Sequence, residues 1–554
     1  MFELVVLMKK QTTIDDLQFM QHALKTLKHQ EVDDERLYVV EPFMLGFNRL
    51  SLMDLNDQVP SIHSTEEGCH LIFYGEVYND LALRQQLEKL GFECQHSPIG
   101  DVILTLYQLI GQTFITQLRG LFSLILYDQA LNQLFVVSDS FGIHPLYYTV
   151  FEEGIFLSSQ LHPFKLNVIQ SPADDNLTNL KTVKQLQPRT LLMYSFKQGL
   201  TLQPFATVEL LPIKKDDHTL KTELQQAFLT SIESSLKRSH EVGCLLTESF
   251  SSMTVAACAN TLSSHLKTYA LCYKENDRDN YGHLLELADQ LKLNLKVKTL
   301  TATEFLNEAK VAMQFLGTPI THPSAIALYH LAKVANHEVD ILLSGEGVNE
   351  LWGHHRLNSL KHEDDSSRLL QRLICLLSSI FKNKETEKLL SFKKHRSFKP
   401  PTHPLIIKPP SYFENDIIPL DQLTMAHALK LHLPFLNSTV VELTNRLNHD
   451  TSLKNNSIHT VLREAFNDVA SFPLLNTYQA QSIIPLKNWL KNELFDEARQ
   501  ILLSERDQPF IDQSKALSYL ELHAKGKRDY SNELWPLLMY LLWYDGWGSE
   551  TGLF

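Results

Sequence analysis

The chain has 554 residues, which is too long for one ordinary hydrophobic core and predicts two to four domains. Its composition, with 44% apolar and 21% charged residues, is typical of soluble globular proteins. The formal net charge of −13, without a dense cluster of Lys and Arg, argues against a protein that binds nucleic acid through its phosphates.

The N-terminal segment predicts a β-strand rather than a targeting signal. The sequence MFELVVLMKK has an apolar run of only about seven residues, and its lysines follow that run instead of preceding it. No stretch approaches the roughly 18 apolar residues that a helix needs to span a bilayer. Six scattered cysteines without a CxxC motif indicate buried free thiols in a reducing compartment. We therefore expect a cytoplasmic protein without a membrane span.

Two regions with different hydrophobic patterns follow in chain order. Residues 1–205 contain short apolar runs such as HLIFYGEVY and QLFVVSD, which predict a strand-rich α+β domain. A polar stretch at 206–218 is typical of a linker. In 219–554, apolar strands such as VGCLL and VDILLSG first alternate with amphipathic helices, which indicates a parallel sheet covered on both faces. The later part is helical, and its last aromatic residues favour a packed helix or a subunit contact: Trp535, Trp543, Tyr544 and Trp547.

The stretch VGCLLTESFSSMTVAACAN at 242–260 predicts a strand, a loop and the start of a helix. Such a junction directs backbone N–H groups and the positive end of a helix outward, which makes it a natural phosphate site. Phosphate-binding loops favour glycine because the backbone must approach the anion closely. This loop, Thr247 to Ser252, contains no glycine and carries a carboxylate, Glu248. The pattern therefore predicts the geometry of a phosphate site without its chemistry.

Five motifs, in order along nearly the whole chain, resemble those of glutamine-hydrolysing asparagine synthetases. They are YGEVYND at 74–80, LRGLFSLILYD at 118–128, SDSFGIHPLYY at 138–148, SGEGVNELWG at 344–353 and LTMAHALKLHLPFLN at 423–437. The resemblance implies a class II glutamine amidotransferase domain at 1–205 with an αββα sandwich fold. It also implies an adenylating synthetase domain of the pyrophosphatase-loop class at 219–554, with a parallel sheet and a helical C-terminal part.

The resemblance also shows which glutaminase residues are changed. The family uses a cysteine at position 2 as its nucleophile, whereas this chain has Phe2, which has no nucleophilic atom. The family's oxyanion site uses Asn and Gly, and here Tyr74 replaces the Asn while Gly75 and Glu76 remain. Arg49 matches the residue that holds the glutamine carboxylate, and a structural ion pair explains its presence equally well. We interpret Arg49, Gly75 and Glu76 as a vestigial glutamine site.

The synthetase motifs have changed in the same way. The family's SGGLDSS loop binds the pyrophosphate of ATP, and it aligns with Thr247, Glu248, Ser249, Phe250, Ser251 and Ser252. A carboxylate about 4 Å from a phosphate charge near a protein surface costs roughly 4 kcal/mol per charge pair. The family's SGEGADELFGG motif is present only in part, as Ser344, Gly345, Glu346, Gly347, Asn349 and Glu350. Asn349 replaces its metal-binding aspartate and is a weaker magnesium ligand. Three further charged family positions are Lys430, His432 and Asn437 in this chain.

The sequence therefore predicts no catalytic residue, no metal site and no bound cofactor. The histidines of the run at 353–362 match no known metal-ligand spacing, and nearby Arg and Lys would repel a cation. We interpret the chain as a pseudoenzyme with a scaffold, binding or regulatory role, and the expected partners are a second copy, an active homologue, or another protein or peptide. The alternative is a diverged ligase that uses MgATP to form an amide, as β-lactam synthetases and lasso-peptide cyclases do. Those relatives keep the SGGxDS loop.

Overall fold

The computed structural model describes residues 2–27, 34–49, 62–166, 182–205, 217–239, 241–263, 265–274, 280–348, 418–449, 464–466, 484–504 and 511–548. Within these ranges the N-terminal domain contains three α-helices: α1 (Ile14–Thr26), α2 (Asp80–Lys89) and α3 (Ile99–Ile110). Its strands are β1 (Phe2–Lys9), β2 (Asp34–Val40), β3 (Phe43–Arg49), β4 (His63–Ser64), β5 (Cys69–Val77), β6 (Gly120–Asp128), β7 (Gln133–Ser138), β8 (Tyr147–Phe151), β9 (Gly154–Ser158), β10 (Lys184–Gln185), β11 (Thr190–Ser195) and β12 (Gly199–Pro204).

These strands form two six-stranded antiparallel sheets with the orders β10-β8-β9-β1-β3-β2 and β12-β11-β7-β6-β5-β4. The side chains of β1 point alternately to the two faces of its sheet, as in any strand. This alternation explains why the sheet packs against a different layer on each side. Leu4 and Val6 pack in the core between the sheets, where Ile125 of β6 meets them. Val5 points to the opposite face of the sheet and packs against α1. Since α2 and α3 cover the outer face of the second sheet, the predicted αββα sandwich is confirmed.

The second domain is built on a five-stranded sheet in which all pairs are parallel. Its strands are β13 (Val242–Leu245), β14 (Lys267–Tyr273), β15 (Asn294–Leu300), β16 (Ile341–Leu343) and β17 (Lys430–His432). The order β15-β14-β13-β16-β17 reverses direction beside β13, so the carboxyl end of β13 opens onto the crevice where such sheets bind ligands. The predicted parallel sheet is confirmed.

Helices cover this sheet and form the C-terminal part of the chain. They are α4 (Asp217–Arg238), α5 (Phe250–Leu262), α6 (Asn280–Gln290), α7 (Ala302–Leu316), α8 (Pro323–Ala335), α9 (Ile418–Met425), α10 (Ser438–His449), α11 (Leu486–Lys491), α12 (Phe495–Leu503), α13 (Gln513–Ala524) and α14 (Ser531–Trp543). Trp535 is buried against Phe305, and the indole N–H of Trp543 donates to the carbonyl of Gly317 at 3.0 Å. The predicted packed aromatic helix is confirmed at these two residues. The side chain of Trp547 lies outside the described residues.

Two further features bear on the sequence predictions. Cys69, Cys94, Cys244, Cys258 and Cys272 are buried and free, as expected, and Cys375 lies outside the described residues. Within those residues, one helical stretch, Ile99–Gln117, is long and apolar enough to cross a membrane by length and composition alone. Several of its apolar side chains pack against the outer face of the second N-terminal sheet. Residues 206–216 of the predicted linker are outside the described part, so the linker boundaries stay a prediction.

Strands β5 and β6 approach each other too closely at Gly75 for any side chain. Gly75 has φ +115°, and a Cβ atom built on it would lie 2.2 Å from the carbonyl oxygen of Leu121. Real atoms never approach so closely, and a left-handed backbone is itself strained for other residues. The presence of glycine here is therefore fully explained by strand packing.

We expect the Gly75→Ala variant to lose about 3 kcal/mol or more of unfolding free energy, because both overpacking and backbone strain oppose it. Gly199→Ala is the matched control: Gly199 also has a positive φ, +70°, but nothing lies within 4 Å of its added Cβ. That change should cost only about 1 kcal/mol. Urea unfolding of the two variants measures both values, and equal costs would contradict the steric explanation.

Candidate functional site

The loop between β13 and α5 forms a closed network of its own hydroxyl groups. The backbone N–H of Thr247 donates to Ser252 Oγ at 2.8 Å, and Ser252 Oγ donates to the carbonyl of Leu245 at 2.8 Å. The N–H of Ser249 donates to Thr247 Oγ1 at 3.3 Å. Ser249 is the N-cap of α5, and its hydroxyl accepts from the N–H of Ser252 at 3.3 Å. The N–H groups of Thr247, Ser249 and Ser252 are therefore already bonded within the loop.

Glu248 places a carboxylate inside this loop. Its side chain is only 4% exposed, and its Oε1 lies 3.7 Å from Nδ1 of His283, a half-exposed residue of α6. Negative charge at the start of α5 is favoured by the helix dipole, which is the same interaction that a phosphate would use. A phosphate that approached the start of α5 would therefore meet the carboxylate of Glu248 at the position where its own negative charge would be favoured.

The motif at 344–347 packs directly on this loop. A Cβ atom at Gly345 would lie 2.5 Å from the carbonyl carbon of Ser251 and 2.5 Å from the nitrogen of Ser252. Ser344 is buried, and its N–H donates to the carbonyl of His432 at 3.0 Å. Glu346 is exposed, and Gly347 follows it in the same turn. The structure thus brings the two predicted synthetase motifs together, while Asn349 and Glu350 lie outside the described residues.

His432, at a position where the resembling family has arginine, contributes a structural bond. Its Nε2 lies 3.1 Å from the hydroxyl of Ser231 on α4, and both side chains are buried. The bond joins strand β17 to the helix that follows the predicted linker. This changed position therefore has a partner within the fold.

The predicted glutamine site faces the second domain. Lys430 of β17 donates to the carboxylate of Glu76, and the two form an ion pair between the domains. The hydroxyl of Tyr74 donates to the sulfur of Met425 at 3.4 Å, and its ring packs edge-on against His144 at 4.4 Å between centroids. Gly75 and Glu76 of the predicted site directly follow Tyr74 on β5. Arg49 ends β3, but its side chain, like that of Phe2, is outside the described residues.

Three site residues were not identified from the sequence. Glu3, His144 and Asp421 line a cavity of about 30 Å³ between the domains, together with Tyr74 and Gln160. His144 Nδ1 lies 3.0 Å from Asp421 Oδ2. Glu3 is buried, and burial raises its pKa to about 8, although Gln160 Nε2 donates to it at 2.6 Å. The carboxylate of Glu3 is unusual within the apolar run of β1, so the sequence does carry a signal for it. Its partners, however, are distant in the chain.

The described residues offer no obvious place for a metal ion. In those ranges no group of three or more His, Cys, Asp or Glu side chains could hold one, and the histidines at 353–362 fall outside the ranges. The loop at Thr247 to Ser252 does not fit MgATP either, because its hydroxyls occupy three of its N–H donors and Glu248 repels phosphate. The predicted nucleotide loop is therefore a self-contained turn in this chain.

Comparisons with known proteins agree with the two domains. The family model described as "Asparagine synthase" matches residues 223–545, and that described as "Glutamine amidotransferase domain" matches residues 4–208. Asparagine synthetase [glutamine-hydrolyzing] 1 of Bacillus subtilis is 23% identical, covering 96% of this chain and 94% of its own. The asparagine synthetase [glutamine-hydrolyzing] of Mus musculus is 25% identical, covering 77% and 74%.

A solved structure, that of the allosteric regulatory enzyme of purine biosynthesis, aligns with 54% of this chain and 80% of its own at 12% identity. Its TM-score of 0.30 is too low to support any argument about this chain.

We expect Ser252→Ala to destabilise the protein by about 1–3 kcal/mol, because it leaves the N–H of Thr247 and the carbonyl of Leu245 without their buried partner. Ser251→Ala is the matched control, since among the described residues Ser251 Oγ has only a 3.3 Å contact with Ser249 Oγ. Its cost should stay below about 0.5 kcal/mol. The unfolding free energies in urea measure the difference, and an equal effect at the two serines would show that the network does not hold the loop.

Proposed function

This chain belongs to the asparagine synthase family, and we propose that it is a member that performs neither glutamine hydrolysis nor ATP-dependent amide formation. It keeps the two-domain fold as a binding, scaffold or regulatory protein. The observation that carries this proposal is the buried carboxylate of Glu248 in a loop whose own hydroxyls bond the N–H groups of Thr247, Ser249 and Ser252. A nucleotide phosphate would have to displace these bonds and approach a fixed negative charge.

The magnitude of the repulsion supports the loss of nucleotide binding. One charge pair at about 4 Å near a protein surface costs roughly 4 kcal/mol, which corresponds to about a thousandfold in affinity. The neutral Asn349, at the position of the family's metal-binding aspartate, weakens the magnesium contribution further. Several modest losses at one site therefore combine to remove the site.

The changed positions supply a second line of support. Tyr74, Lys430 and His432 each have a partner within the fold: Met425, Glu76 and Ser231, respectively. A residue that only filled a disused site would not need a specific polar contact. We infer that these side chains contribute to the stability of the fold in place of the parental chemistry.

We propose that the chain acts in the cytoplasm as a homodimer, or paired with an active homologue or with another protein or peptide, and that it holds no cofactor. A ligase that forms an amide with MgATP is the competing function, and the nucleotide test below decides between the two.

We expect no thermal shift with MgATP at millimolar concentration. A ligand at about 100 times its Kd stabilises the native state by about 2.7 kcal/mol, so a shift in Tm reports binding directly. The matched control is the triple variant Glu248→Gly, Ser249→Gly and Ser251→Asp, which removes the carboxylate and restores the family's loop. A larger response in the triple variant supports the proposal. A saturable shift in the unchanged protein, or exchange of labelled pyrophosphate into ATP, would establish the ligase function.

We also expect no release of ammonia from glutamine. Phe2 offers no nucleophile, and the missing Asn at position 74 alone would cost a factor of about 10² to 10³ by loss of an oxyanion donor. A coupled ammonia assay, with an active asparagine synthetase as positive control, measures this. Glutamine-dependent ammonia that persists across independent preparations and is absent from a mock preparation would refute the expectation.

A further inference from the structure

Polar side chains join the two domains around the small cavity. Glu76 pairs with Lys430, Tyr74 contacts Met425, and His144 pairs with Asp421 at 3.0 Å. We call the set Tyr74, Glu76, His144, Asp421, Met425 and Lys430 the interdomain cluster. It connects β5 and the turn before β8 to α9 and β17.

Other contacts at its edges hold the same two faces together. Arg119 Nε lies 3.1 Å from Glu442 Oε1 on α10, and His162 Nε2 lies 2.8 Å from the carbonyl of Gln314 on α7. Three apolar residues of the N-terminal domain, Leu121, Phe141 and Ile143, belong to the main core of the second domain. The domains are therefore closed against each other by a continuous apolar core with charged pairs beside it.

Glu3 is placed where its charge matters to this contact. It is 6% exposed and lines the same cavity as Tyr74, His144 and Asp421. One other carboxylate lines this cavity, that of Asp421, and it is also buried. The cavity has a volume of about 30 Å³, room for one or two water molecules, and because Glu3 itself is almost fully buried, solvent screens a new negative charge on it poorly.

We propose that the interdomain cluster is a pH-responsive latch, which is held closed by protonated Glu3 and loosened when Glu3 loses its proton. This inference rests on the proposed function, because the cluster uses positions that glutamine and synthetase chemistry would otherwise need. Opening of the latch admits water to the cavity and separates β5 from β17.

The neighbours of Glu3 determine the direction of the response. Tyr74 faces it from β5 and Asp421 from α9, and His144 and Gln160 come from the turns before β8 and after β9. Glu76 lies further along β5, where its charge acts on Tyr74. Lys430 of β17 is occupied by Glu76, and the positive amino terminus lowers the pKa of Glu3. An ionised Glu3 therefore adds a second carboxylate to the cavity that Asp421 lines, at an interface where Lys430 is already paired with Glu76.

The sign follows from proton linkage. The pKa of Glu3 is raised by burial from its ordinary 4.5 to about 8 in the closed protein. Between these values the closed state binds more protons than a state in which Glu3 meets water. The opening equilibrium therefore rises with pH by up to about tenfold per unit in this window, and it levels off above the upper value.

The test is hydrogen exchange of the intact chain at about pH 6 and about pH 8.5, corrected for intrinsic exchange rates. In the unchanged protein, peptides covering 72–78 and 424–432 should lose protection at least tenfold at the higher pH, while the central strand 242–245 keeps it. Glu3→Gln matches the protonated shape and separates Glu3 from every other titratable group, so it should abolish the difference. An unchanged pH response in Glu3→Gln, or no response in the native chain, overturns the latch.

A charge exchange tests the ion pair independently. Glu76→Lys and Lys430→Glu each place like charges in contact, so either change alone should increase exchange in both peptides at about pH 6, and the two together should restore protection. Glu76→Gln and Lys430→Met serve in the same way if a reversal fails to fold, since their effects should be less than additive. Strictly additive effects in both pairs of variants overturn the latch.

Ammonia and MgATP assays at the two pH values separate this inference from the proposed function. If activity appears at the pH at which the interface opens, the proposed function is refuted and the latch is supported. If the protein stays inactive and its hydrogen exchange does not depend on pH, the latch is refuted and the proposed function stands.

Discussion

Burial of charge between the two domains is the constraint on which the arrangement of this protein depends. Glu76 and Asp421 are buried, and an unpaired carboxylate there would be strongly destabilising. Each therefore has a partner with complementary hydrogen-bonding capacity, Lys430 for Glu76 and His144 for Asp421. The partners stand on opposite domains, so these carboxylates keep their pairing only while β5 lies against β17 and α9. The pairing of a few buried charges thereby adds a directional constraint to the apolar core that joins the two domains.

Residues that survive from the family's motifs have structural reasons to survive. Gly75 permits the approach of β5 to β6, and Gly345 permits the approach of its turn to the loop at Ser251 and Ser252. Asp139, in the motif at 138–148, accepts hydrogen bonds from three backbone N–H groups, those of Phe122, Phe141 and Gly142. Its burial raises its pKa to about 6, so those bonds organise a turn at the cost of burying a carboxylate. The presence of a motif residue is therefore weak evidence of activity in this family.

Local patterns predicted the elements of the fold well, because they depend on neighbours in sequence. The short apolar run in MFELVVLMKK predicted β1, and the strand–loop–helix pattern at 242–260 placed the junction between β13 and α5. The contacts that define the site join distant parts of the chain. Gln160 reaches Glu3 across 157 positions and Tyr74 reaches Met425 across 351, and no periodicity carries such information. The sequence identified Glu248 as unusual, but only the structure shows its burial beside His283.

The loop at Thr247 to Ser252 supplies acceptors for three of its own N–H donors. A phosphate-binding loop leaves N–H donors without partners in the free protein and concentrates positive potential, so it trades stability for binding. Hydroxyls at Thr247, Ser249 and Ser252 accept those donors in this chain. The buried carboxylate of Glu248 belongs to the residue just before the N-cap of α5, where the helix dipole favours negative charge. The same helix dipole that would favour a nucleotide now favours a side chain that cannot dissociate. The turn therefore needs no bound anion to satisfy these three donors, because the chain supplies their acceptors itself.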